Sequence, residues 1–103
     1  MNEKPTSGKI NVVAHLHAGA GHEALFREVL EGFVAPTRLE QGCLRYDLFI
    51  DITDPAQFTF IEEWASRAEL EQHSKSEHIV AGRARIQGKE AKAAWVQVVR
   101  RVL

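Results

Sequence analysis

The sequence predicts an α+β domain of order β-α-β-β-α-β, and three observations carry that prediction. Four stretches alternate their apolar residues with the two-residue period of strands, two longer regions repeat at helical spacing, and each helical region falls between strands. This is the split βαβ, or ferredoxin-like, pattern: one antiparallel sheet with its helices on a single face. A chain of 103 residues fits one such domain.

The first strand runs from Ile10 to Leu16, where Ile10, Val12, Ala14 and Leu16 alternate with Asn11, Val13 and His15. Gly19 and Gly21 break the alternation. Leu25, Phe26, Val29, Leu30, Phe33 and Val34 then form a helical stripe opposite Glu23, Arg27, Glu28 and Glu31, and Pro36 is expected to end that helix. Gly42 precedes the second strand, Cys43 to Asp51, with Leu44, Tyr46, Leu48 and Ile50 on one face. Turn residues from Asp51 to Pro55 lead into the third strand, Phe58 to Trp64, which is apolar enough to be central. Ser66 followed by Glu69 is a capping-box signature and starts the second helix; Ser76 caps a further helical piece that halts at Gly88. Residues 93–102 alternate again as the fourth strand.

Residues 1–8 are read as a disordered N-terminus and 9–103 as the domain. The 13 basic and 14 acidic residues remove the electrostatic case for nucleic acid or an anionic membrane as partner. No apolar run approaches a signal peptide or a membrane span, and the lone Cys43 has no disulfide partner, so a soluble, cytoplasmic protein is expected. Cys43 is read as a small buried hydrophobe. Hydrophobic residues make up 45% of the chain, and a lone domain of this size buries only roughly two thirds of its unfolded surface. A one-sided sheet would leave an apolar face open, which a second copy laid sheet to sheet would cover.

The segment from Phe58 to His78 joins an aromatic strand carrying Glu62 to a helix whose apolar stripe ends in His73. Aromatic walls, an acid and an imidazole are materials for a pocket that takes a flat organic substrate. Glu62 shares a face with Phe58, Phe60 and Trp64, and a buried carboxylate there needs a partner such as His73, an arginine or a backbone donor. A structural ion pair fits the same placement. His73 can accept a phenolic proton near neutral pH, or it can be a histidine that caps a helix end. Trp64 offers an aromatic face and an N–H, or closes the core at the strand–helix junction. Phe58, Phe60 and Tyr46 are core residues that can double as pocket wall, and His78 is a cap-region or pocket-rim residue. His73 and His78 are five apart, a poor separation for two ligands on one helix, and the chain has no cysteine cluster, H-E-x-x-H, G-x-G-x-x-G or P-loop. No metal ligands and no cofactor are assigned.

The run Pro36-Thr37-Arg38-Leu39-Glu40-Gln41-Gly42-Cys43-Leu44-Arg45-Tyr46, followed by Glu62-Glu63-Trp64-Ala65-Ser66 with Leu70, His73, Ser76 and His78, resembles the antibiotic biosynthesis monooxygenase (ABM) family, in particular its small quinol-monooxygenase-like members. The resemblance spans about Ile10 to Val102. It implies a homodimeric α+β barrel and oxygenation of quinol or related phenolic aromatics by molecular oxygen, without flavin, haem or metal. By the same resemblance the pocket lies between sheet and helices, with His73, Trp64 and Glu62 as catalytic candidates and Phe58, Phe60, Tyr46 and His78 lining the substrate site. Relatives that oxygenate anthrones carry an amide residue where this chain has Phe60. Haem-degrading relatives carry an axial histidine where it has Arg83. The same fold also carries isomerases of small carbonyl compounds and non-enzymatic binding modules, and both remain alternatives.

Overall fold

The computed structural model describes residues 8–103, so the stretch expected to be disordered lies, apart from Gly8, outside the described residues. The elements are β1 (Ile10–Ala18), α1 (Glu23–Arg38), β2 (Cys43–Ile50), β3 (Gln57–Trp64), α2 (Arg67–Ser74), α3 (Glu77–Ile86) and β4 (Glu90–Val99). The four strands form one antiparallel sheet in the order β2-β3-β1-β4, which puts β3 at the centre as its composition requires. The expected α+β, ferredoxin-like arrangement is present, with the second helical region divided into α2 and α3.

Alternation along β3 buries Phe58, Phe60, Glu62 and Trp64 on one face. The registers Phe60–Ala14, Glu62–Val12 and Glu62–Tyr46 place the neighbouring strands' buried residues on that same face. Against it lies the stripe of α1, with Phe26, Val29, Leu30, Phe33 and Thr37 buried. Gly82 lets α3 approach α1: a Cβ there would overlap the Phe33 ring. The opposite face, which carries Val13, Ile61, Phe49 and Trp95, has no covering helix among the described residues.

Four boundaries or details differ from the sequence expectations. Helix α1 continues past Pro36 to Arg38. The missing proline N–H leaves only the carbonyl of Gly32 without its helical bond, and exposed Gly32 can turn that carbonyl to water. Leu44 does not share the Tyr46 face but sits in a register shift between Cys43 and Arg45 and is half exposed. Strand β4 starts and stops three residues earlier than the alternation indicated, because Glu90 and Lys92 pair with Ala18 and His17 across an irregular stretch. Ser66 occupies the N-cap position of α2, yet its hydroxyl bonds the Glu69 carboxylate rather than a backbone N–H, so the reciprocal capping box is absent.

Candidate active site

A cavity of about 360 Å³ lies between the sheet and helices α2 and α3, within the size range of small-molecule sites. Phe60, Tyr46, Val12 and Ile79 give it an apolar wall, and Glu62, His73 and Arg83 are polar groups on that wall. The sheet supplies Tyr46, Phe60 and Glu62 from adjacent strands, with Tyr46 directly opposite Glu62 and the rings of Tyr46 and Phe60 4.8 Å apart.

Glu62 is 5% exposed, and burial pushes its carboxyl up to about 7. Its hydrogen-bond partner is the Trp64 indole, whose Nε1–H donates to Oε1 at 2.9 Å. None of the ion pairs among the described residues includes Glu62, so the carboxyl is held by a neutral donor in an apolar setting. Such a group exchanges a proton near neutrality. Trp64 is fully buried behind the wall: its N–H is committed to Glu62, and its ring lies 4.8 Å from that of His73. Phe58 is likewise core.

His73 comes from the last turn of α2 and is buried. Its Nδ1 lies 3.0 Å from Glu40 Oε1. Burial lowers its pKa, the Glu40 charge and hydrogen bond oppose that, and the charges of His78 and Arg83 reinforce it. With the net direction downward, the ring is neutral at neutral pH. The carboxylate then takes the Nδ1 proton as its hydrogen bond and leaves Nε2 as the ring's acceptor.

Glu40 escaped the sequence reading as a site residue, since 33 positions separate it from His73. The fold brings it there through Gly42, whose φ of +84° turns the α1–β2 loop and whose carbonyl accepts from Ala65 N–H at 2.8 Å. A Cβ at Gly42 would overlap the side chain of Glu69. His78 begins α3 rather than continuing α2, so the five-residue spacing does not separate it from His73. The two rings are 6.2 Å apart. His78 Nε2 shares a hydrogen bond with Thr37 Oγ1 at 2.8 Å and lies 3.2 Å from Glu40 Oε2, a close approach without hydrogen-bond alignment. His78 therefore stands behind the wall, supporting Glu40.

Glu40, His73 and His78 hold their ligand-type atoms within 4.8 Å of one another, the spacing a metal ion could use among the described residues. One Glu40 oxygen and the facing Nδ1 are already joined by a hydrogen bond, which a metal would have to displace. Cys43 offers no nucleophile: burial and the charges of Glu40 and Glu62 push its thiol up, away from the thiolate. Burial, with the Glu62 charge, likewise raises Tyr46, so its phenol stays protonated.

Residues 9–85 match the family model described as antibiotic biosynthesis monooxygenase. The chain is similar to Rv0793 of Mycobacterium tuberculosis, 30% identical over 77 residues that cover 75% of each protein. Its fold superimposes on the crystal structure of PA3566 from Pseudomonas aeruginosa with a TM-score of 0.89 at 31% identity, covering 95% of this chain and 98% of that one. A solved antibiotic biosynthesis monooxygenase gives a TM-score of 0.86 at 32% identity, over 91% of this chain and 99% of that one. A family match over residues 9–85, with solved structures at 31–32% identity aligned along nearly their whole length, makes this chain a member of the antibiotic biosynthesis monooxygenase family.

Proposed function

We propose that the protein is a homodimeric, cofactor-independent monooxygenase of a quinol or related phenolic aromatic, with molecular oxygen as co-substrate. The observation that supports this reading best is the meeting of two proton-transfer groups, Glu62 and His73, on a mostly apolar, aromatic-walled cleft. Deprotonating a hydroquinone makes it electron-rich enough to reduce oxygen directly, provided water is kept away. Neutral His73 accepts the phenolic proton, and protonated Glu62 can return one to the departing oxygen. A carbon–oxygen bond forms on the ring and the oxygen–oxygen bond then breaks. One oxygen atom stays in the product as a hydroxyquinone, and the other leaves as water with two protons, so the substrate supplies all four electrons that reduce oxygen.

Trp64 and Glu40 serve this reading as positioning residues, one holding Glu62 and the other His73. Phe60 and Tyr46 contact the ring of the substrate. A cytoplasmic location is part of the reading and rests on the single, unpaired Cys43. The test is an oxygen electrode with a panel of benzo-, naphtho- and anthrahydroquinones. Oxygen uptake above the uncatalysed rate, with one equivalent of oxygen per hydroxyquinone formed, is the expected result. No enzyme-dependent uptake with any of them overturns it. Turnover of a small carbonyl substrate without oxygen would assign Glu62 and His73 to an isomerase instead.

A further inference from the structure

Arg83 stands where two cavities meet. Beyond it, a second cavity of about 360 Å³ shares Leu16, Arg83, Ile86 and Ala94 with the first and adds Lys92 to its wall. The irregular β1–β4 register at His17 is what brings Lys92 into this position on an edge strand. Two residues on along α3, Arg85 points the other way and pairs with Glu28 at 3.1 Å. Arg83 has no carboxylate partner among the described residues, nor has Lys92. The acidic residues on the two cavities are Glu62 and Glu71 on the first and Glu90 on the second. Arg83 lines the same cleft as Glu62 and His73, and its charge bears on both groups that would handle the substrate's protons.

We infer that the substrate is an aromatic acid: its ring occupies the apolar cleft, and a carboxylate on it is received by Arg83, with Lys92 extending the positive field into the second cavity. The inference rests on reading the first cavity as the substrate site. Among the described residues no ion pair engages the Arg83 guanidinium, and at the end of an apolar slot it matches a carboxylate in shape and charge. An unsubstituted phenol would fill the slot and leave the guanidinium to water.

Binding can be measured without turnover, by anaerobic isothermal titration with 1-naphthol, 1-hydroxy-2-naphthoate and 6-hydroxy-2-naphthoate. At least one carboxylated ligand should bind about tenfold or more tighter than 1-naphthol to the wild-type protein, the scale of one charge-assisted contact. In Arg83→Met the ratio of the two affinities, carboxylated ligand over 1-naphthol within the same variant, should fall to within about twofold; Arg83→Lys should keep part of the preference. Circular dichroism melts confirm that each variant is folded, which is expected because Arg83 is exposed. Failure of all three ligands to bind, equal binding of all three, or a preference that survives in Arg83→Met overturns the inference. If the Arg83-dependent preference is found and no hydroquinone consumes oxygen, the monooxygenase reading falls and the acid site stands. Oxygen uptake without any preference for the acids removes the acid site and leaves the monooxygenase reading standing.

Discussion

At Glu62 a single carboxyl ties stability to pH. Its folded-state pKa is raised from 4.5 to about 7 by burial, so folding favours the protonated form. Stability from this group is complete below pH 4.5 and is lost as pH rises through 7, by up to about 3 kcal/mol. His73 acts in the opposite sense, because its lowered pKa makes protonation unfavourable to the fold as pH falls below 6.5. The two slopes overlap, so the useful quantity is the difference between wild type and Glu62→Gln, which keeps an acceptor for Trp64 and removes the titration. In urea denaturation that difference should favour wild type at pH 4.5 relative to pH 7; a difference independent of pH would mean that folding leaves the Glu62 pKa unchanged. For activity, His73→Ala should lower turnover of an active hydroquinone by roughly 10²-fold or more. Glu40→Gln should cost less and should move the acid limb of the rate profile to lower pH, since removing the Glu40 charge lowers the His73 pKa further. An unchanged acid limb in that variant would release Glu40 from the site. Glu62 and His73 were legible in the sequence because each sits on a periodic face, but Glu40 and Arg83 depend on loop and helix placements that no local period encodes.

Each element's existence followed from periodicity, and its details from contacts that periodicity does not see. The β3 alternation specified its buried face completely, Glu62 included. The same logic failed at Leu44, where a bulge shifts register, and at Pro36, where exposed Gly32 absorbs the lost hydrogen bond. The glycines make the same point in energetic terms. Gly32 and Gly82 both lie within helices, so propensity alone predicts that alanine would stabilise either one by about 1 kcal/mol. At Gly32 a Cβ would meet nothing within 4 Å, and Gly32→Ala should raise the melting temperature. At Gly82 the Cβ would overlap the Phe33 ring, part of the wall of the cleft, so Gly82→Ala should destabilise by about 1–3 kcal/mol as α3 is pushed from α1. Thermal melts of the two variants decide it; a stabilising Gly82→Ala would show that the helices are free to separate.

For the whole molecule, the uncovered sheet face is the feature that calls for a second copy. Among the described residues, helices cover only the face of Val12, Phe60 and Trp64. On the other face Trp95 is 56% exposed and stacks on His15 at 5.3 Å with the rings nearly parallel, and Phe49 and Val99 are also exposed. An isolated 103-residue domain has little stability to spare with such a surface in water, and a stable interface needs about 800 Å² from each partner, which one face of a four-stranded sheet can supply. Light scattering at micromolar concentration should therefore give about twice the 11.6 kDa chain mass. Trp95→Asp places a charge on that face, on the edge strand β4, without touching the cleft-side core, so it should yield monomers or raise the dissociation constant by at least about tenfold. A wild-type monomer at these concentrations removes the sheet-to-sheet dimer. A Trp95→Asp protein that remains fully dimeric moves the interface to another surface, most directly to the exposed edge and C-terminal end of β4.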